Sequence, residues 1–180
     1  MAIIITVSNQ KGGVGKTTTS AALATGIASR GNRVLGIDLD PQGNLGFCLG
    51  VEASSGPTVL DALTGRIPVG EAICRTDYCD ILSADITLSS GLEIVSDRPR
   101  ECILRDTLSP VMDRYDYIII DTPPALNLLT VNAYAVSDFL IIPMASDILS
   151  LVGLSQLKET IESVRGSLNP GLNVMGILLT

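Results

Sequence analysis

The 180-residue chain contains no histidine, which excludes every triad, metal site or acid–base scheme that depends on an imidazole. Its chemistry must fall to carboxylates, lysine, hydroxyls, backbone amides or a bound ion. Lysine is nearly as scarce: Lys11, Lys16 and Lys158 are the whole complement. Although 46% of residues are hydrophobic, no apolar run approaches the roughly 18–20 residues that span a bilayer. The opening MAIIITV lacks the basic start and the small-residue cleavage site of a secretory signal. A cytoplasmic location with no membrane contact is expected. Cys48, Cys74, Cys79 and Cys102 in an apolar, loop-poor chain do not read as a disulfide framework. No C-x-x-C occurs, and all four read as small buried hydrophobes rather than cluster ligands. The net charge is −7, and no basic stripe is present that would grip nucleic acid unaided.

What is present alternates between two periodicities. Ile3–Val7, Arg33–Asp38, Asp80–Ser83, Tyr117–Ile120, Phe139–Pro143 and Asn173–Leu179 are short apolar runs that suit strands buried in a parallel sheet. Between them, Thr17–Arg30 is an alanine-rich helix stopped by Gly31, and Val59–Leu63 is a short helix. Glu101–Arg114 and Leu129–Val136 are further helices. Leu151, Leu154, Leu157, Ile161 and Val164 mark one stripe of a last helix. The stretch from Pro41 to Thr58 reads as loose chain. This order predicts an α/β domain over residues 1–180, an open, mostly parallel twisted sheet with helices on both faces. GILLT ends on an apolar strand, so the natural polypeptide is expected to continue beyond Thr180.

The two clustered lysines lie in SNQKGGVGKTT, Ser8 to Thr18. Gly12, Gly13 and Gly15 follow a strand and open a helix, so their amides can converge on an anion at the positive end of the helix dipole. Lys16 would reach phosphates and the Thr17 hydroxyl would ligate Mg²⁺. Against the pattern GxxxxGK(S/T), Gln10 stands where the first glycine belongs, and Lys11 replaces a neutral residue. Two carboxylate clusters follow later strands: Asp38 and Asp40 in DLDPQGN, and Asp121 in DTPP. Ligands of open α/β sheets bind beyond the carboxyl ends of the strands, so the three turns are expected to share one edge. There, carboxylates can hold a magnesium ion through its waters and orient an attacking water.

QKGGVGKTTT, DLDPQGN, YDYIIIDTPPALNLLTVNA and IIPM…LVGLSQLKETI resemble, in order, the ParA/Soj branch of the ParA/MinD ATPases, which carry a deviant Walker A loop. The resemblance implies a weak, partner-stimulated ATPase using ATP/ADP and Mg²⁺. Lys11, Gly12, Gly13, Val14, Gly15, Lys16, Thr17 and Thr18 would cradle the nucleotide. Lys11 would reach across a nucleotide-sandwiched homodimer to the other subunit's phosphates, while Lys16 serves its own. Thr17 would ligate Mg²⁺ directly, Asp38 and Asp121 would act mainly through its waters, and Asp40 would position the attacking water. The regions Asp38–Asn44 and Asp121–Pro124 would be switches that respond to the γ-phosphate.

The same resemblance implies non-specific DNA binding by the ATP dimer, a nucleoid-associated location, a ParB/Spo0J-like stimulating partner, and a role in segregating plasmid, chromosome or other cargo. DNA-binding and adenine-recognising residues are expected mostly after Thr180. Lys158 and Arg165 are the only local candidates for DNA contact, on what is more simply a solvated helix face. A MinD-like membrane-cycling ATPase would need an amphipathic C-terminal helix, which is not visible in the sequence. A metabolic or metal-cluster-carrying ATPase would need a substrate pocket or ligand cysteines.

Overall fold

The computed structural model describes residues 2–51, 56–91, 99–146 and 148–180, the last stretch without side chains at 148–152. Its seven strands are β1 (Ile3–Val7), β2 (Val34–Asp38), β3 (Cys74–Arg75), β4 (Asp80–Leu82), β5 (Tyr117–Asp121), β6 (Phe139–Met144) and β7 (Asn173–Leu179). They form one sheet in the order β3-β4-β2-β5-β1-β6-β7. All neighbours are parallel except β3 and β4. The longer helices are α1 (Lys16–Ala28), α7 (Leu128–Val136) and α8 (Ile148–Ser167). Shorter ones are α2 (Asn44–Cys48), α3 (Val59–Leu63), α4 (Val69–Ala72), α5 (Leu88–Gly91) and α6 (Ile103–Leu108).

The period-2 alternation of the strands splits the apolar residues between two cores. On β5, Ile118 and Ile120 face one core while Ile119 faces the other. Leu35 and Ile37 of β2 join the first, and Val34 the second. The first core packs against α3, α6, α7 and α8. The second packs against α1 and α2. Each fully buried isoleucine contributes about 1.5–3 kcal/mol, so the central strands anchor both layers at once. α1 lies close on the sheet because its inward residues after Lys16 are small, Ser20 and Ala24.

The expected strands are all present, and β3 is an additional edge strand. Two stretches differ from the sequence reading. The span 41–58 holds α2, whose N-terminal cap is Gly43 in the left-handed region, at φ 66°. The span 101–114 is not one helix. It is a 3₁₀ turn (Arg100–Cys102), α6, and a second 3₁₀ turn (Met112–Arg114). Pro110 has no N–H to continue the ladder and its ring blocks the preceding turn, so α6 stops at Leu108. Of the cysteines, Cys79 and Cys102 are buried but Cys48 and Cys74 are exposed. One ends the outer side of the short α2 and the other begins the edge strand β3, so neither reaches a core. On α8, Leu157, Ile161 and Val164 are buried and Leu154 packs against them. The side chain of Leu151 lies outside the described residues.

α7 starts on Asn127, whose side chain accepts from the amides of Leu129 and Thr130 at 3.1 and 3.2 Å; such a cap is worth about 1 kcal/mol. Further along, buried Asn132 accepts from the Leu104 amide at 3.0 Å and donates to the carbonyls of Arg100 and Leu128 at 2.7 and 2.9 Å. It ties α7 to the start of α6. Asn132→Ala strands a buried amide and a carbonyl, so urea denaturation should show a loss of about 2–4 kcal/mol at unchanged m-value. A loss below about 0.5 kcal/mol would show that the clamp is redundant.

Candidate active site

The register of the sheet assembles the site. Val7, at the end of β1, pairs with Asp121, and Asp38, at the end of β2, pairs with the same Asp121. The glycine loop and both carboxylates therefore leave the sheet at one level of its carboxyl edge, as the strand–turn pattern predicts. The amide of Leu39 donates to the Asp121 carbonyl at 2.9 Å, extending the pairing past the last strand residue.

The loop from Ser8 to Thr18 turns through Gly13 at φ 73° and Gly15 at φ 78°. Gly15 caps α1 without a side-chain acceptor, and no acidic residue occupies the first helical turn. The first-turn amides are thus left for an external anion. Gly12, Gly13 and Thr18 are exposed, Gly15, Lys11 and Thr17 are half-buried, and Val14 points its side chain into the protein. Lys16 is 7% exposed, with its ammonium donating to the Lys11 carbonyl at 2.9 Å. Burial lowers the Lys16 pKa, against the opposing pull of Asp121 and Asp40. A cation that sits desolvated on a neutral carbonyl gains when a phosphate is offered in its place.

Asp121 accepts from the Thr17 hydroxyl at 2.7 Å on one oxygen and from the Ser20 hydroxyl at 2.9 Å on the other. Asp38 is fully buried. It accepts from the amides of Asp40 at 2.9 Å, Leu45 at 2.9 Å and Gly46 at 3.4 Å. Asp40 is half-buried and receives the Gln42 amide at 3.0 Å. Its charge acts on both Lys16 and Asp121, so the structure brings it to the same site. Gly43 completes this turn: a side chain there would place its Cβ 2.7 Å from the Ala84 carbonyl oxygen.

Among the described residues, no group of three or more acidic or cysteine side chains could cage a metal. The arrangement fits magnesium nonetheless. That ion keeps several waters and takes one or two protein oxygens plus phosphate oxygens, and Thr17, Asp121 and Asp38 supply hard oxygen atoms.

Three further residues support the site, and of these Ser20 lies outside the segments singled out in the sequence. Ser20 is one turn beyond Thr17, a spacing that puts both hydroxyls on one helix face. Asn9 accepts from the Lys11 amide at 3.0 Å and donates to the Pro143 carbonyl at 2.6 Å, pinning the loop to the end of β6. Thr122 donates to the Val7 carbonyl at 3.0 Å, tying the turn after β5 to the strand that feeds the loop. Lys158 pairs with Glu162 at 3.7 Å on the surface. Arg165 donates to the Leu172 carbonyl at 2.6 Å. Both engagements are local to α8 and the turn after it.

Burial, followed by the charge of Asp121, raises the Asp38 pKa to about 7. Burial raises that of Asp121 to about 6, against the opposing Thr17 and Ser20 hydroxyls and Lys16. A carboxyl raised on folding favours the folded state at low pH, and that contribution is lost as pH climbs from the unfolded value through the folded one. In EDTA without nucleotide, Tm should therefore fall between pH 5 and pH 7.5, and Asp121→Asn should flatten the slope. A Tm that rises over this range, or a slope unchanged in the variant, would contradict the burial argument.

Comparison with known proteins agrees with this geometry. A family model described as an AAA domain matches residues 2–174. The chain is 46% identical over 181 residues to the chromosome partitioning protein ParA of Myxococcus xanthus, covering 98% of this chain and 64% of that protein. It is 45% identical over 184 residues to the sporulation initiation inhibitor protein Soj of Bacillus subtilis, covering 100% of this chain and 73% of that one. It thus spans 64% and 73% of these two relatives' lengths. Among solved structures, cobyrinic acid a,c-diamide synthase of Mycobacterium smegmatis, with bound ADP and magnesium, superposes with a TM-score of 0.94 at 37% identity. That match covers 99% of this chain and 74% of the other. With sequence likeness running over nearly all of its residues, the chain belongs to the ParA/Soj family.

Proposed function

We propose that this chain is the nucleotide-binding part of a positioning ATPase, which binds ATP with Mg²⁺, dimerises in that state and releases its partners on hydrolysis. The observation that supports it most is the Thr17–Asp121 contact at 2.7 Å beside Asp38 on the neighbouring strand. This is a preassembled magnesium-binding corner at the mouth of a glycine loop. Magnesium would neutralise phosphate charge there. Lys16 leaves the Lys11 carbonyl to meet phosphate oxygens, and the first-turn amides of α1 receive the rest of the anion. Asp40 holds and orients a water, accepting its proton as the γ-phosphate is attacked.

Lys11 is assigned to the phosphates of a second copy, which would make dimerisation a report of the bound nucleotide. Two ATP anions brought face to face need additional cations, and a lysine from the facing subunit supplies one in a water-poor interface. Non-specific DNA and a ParB/Spo0J-like activator are the partners this reading carries, with cargo segregation as the outcome. The protein would then work in the cytoplasm, on the nucleoid. Among the described residues, no helix is long and apolar enough to cross a membrane. The likeness to a protein described as a synthase reflects the shared nucleotide edge. Its identity of 37% lies below the 46% and 45% found with ParA and Soj.

Asp40→Ala in the full-length protein should keep ATP affinity within about threefold, lower turnover by about 10²-fold or more and accumulate an ATP-bound dimer. Analytical ultracentrifugation beside a phosphate-release assay reads both effects. Turnover at the wild-type rate would remove Asp40 from its assigned role.

A further inference from the structure

The opposite edge of the sheet carries a second concentration of charge. Arg33 precedes β2, Asp80 begins β4, and Arg114 and Tyr115 precede β5, so these residues sit at the amino ends of the strands, away from the glycine loop. Together with Arg75 and Tyr78 they wall a cavity of about 420 Å³, within the roughly 300–1,000 Å³ range of small-molecule sites. Three of the chain's 12 lysine and arginine residues line it, in a chain whose net charge is −7.

Two of the nearby acids are already engaged. Asp116, beside the cavity, takes the Arg33 guanidinium in a two-point contact, at 2.7 and 3.2 Å. Asp80, inside it, accepts the Tyr115 hydroxyl at 2.8 Å. Arg75 lies across the β3–β4 ladder from Asp80. Yet neither the Arg75 nor the Arg114 guanidinium has a hydrogen-bond or ion-pair partner among the described residues. Both act electrostatically on the Tyr115 hydroxyl, which lines the same cavity. Arg114 is packed against Gly70 of α4, where an added Cβ would come within 3.3 Å of its Nη1. The Tyr78 ring, 59% exposed, offers a flat apolar surface at the rim. Of the charged residues that line the cavity, Arg33, Arg75 and Arg114 outnumber Asp80, while Asp77, Asp113 and Asp116 adjoin it in the chain.

We propose that the cavity between Arg75, Arg114 and Tyr78, on the sheet edge opposite the glycine loop, binds a phosphate-bearing ligand of up to nucleotide size. Guanidinium forks match phosphate oxygens in two-point geometry, and a ring attached to the phosphate can stack on the exposed tyrosine. The phosphate can belong to a free nucleotide or to a single nucleic-acid strand, and both present the same group. The site is separate from the nucleotide edge and does not depend on the reading given for it.

The test titrates the full-length protein, saturated with Mg·ADP so that the glycine loop is filled, with dTMP and separately with a 15-residue oligothymidylate. Amide chemical shifts at Asn32, Arg75 and Tyr78 report the cavity. Saturable shifts are expected there, with a dissociation constant below 1 mM that rises at least tenfold in the Arg75→Ala/Arg114→Ala variant. Arg75→Gln alone, at an exposed position of the edge strand, should weaken binding in the same direction and guards against misfolding of the double variant. Saturation by dTMP identifies a free phosphate ester, and saturation by the oligonucleotide alone identifies a strand. No saturable shift with either probe, or the same affinity in both variants, would overturn the proposal.

Discussion

Two carboxylates placed side by side at the ends of neighbouring strands, out of reach of bulk water, are the constraint around which this edge is built. A buried carboxylate costs several kcal/mol unless donors surround it. Asp121 takes its donors from α1, through Thr17 and Ser20, and thereby fixes the helix that follows the glycine loop. Asp38 takes its donors from its own turn, through the amides of Asp40, Leu45 and Gly46, and thereby fixes α2. Each of the two turns after β2 and β5 is thus organised by one acid. Any ligand that alters the charge at Asp121 or Asp38 acts directly on the backbone that carries Asp40.

The glycine loop, for a segment rich in glycine, is tied down at several points. Asn9 fastens its entrance to Pro143 at the end of β6. The Ser8 hydroxyl receives the buried Tyr134 hydroxyl at 2.7 Å, and Lys16 closes the loop on its own Lys11 carbonyl. Preorganised amides cost less to bring to a phosphate than mobile ones. Lys16 is the group with an alternative partner to move to.

Much of this was legible in the sequence. Strand ends are marked by apolar runs that stop at Asp38 and Asp121. The glycine–lysine–threonine order is local, and the parallel sheet follows from alternation alone. What escaped depends on distant pairing. α2 is capped by a carboxylate seven residues upstream, not by a neighbouring serine or threonine, so its start carries no ordinary signal. Ser20 matters only because Asp121, 101 residues away, stands opposite it. The break after Leu108 is announced by Pro110, but apolar spacing on both sides masks it. Cys48 and Cys74 are exposed because a five-residue helix and a two-residue edge strand have outward faces that composition does not reveal. The arginine-lined cavity gathers residues from three segments, each contributing one unremarkable arginine.

The proposed function turns on a magnesium nucleotide at the carboxyl edge, with Lys16 exchanging a carbonyl for phosphate. Calorimetric titration of ATP into the full-length protein, with Mg²⁺ and with EDTA, beside a Lys16→Ala variant, tests it most directly. Tight binding with Mg²⁺ is expected, weakening at least tenfold in EDTA and at least tenfold again in the variant, about 1.4 kcal/mol for each step. Equal affinity with and without Mg²⁺, or in the absence of the Lys16 side chain, would contradict it.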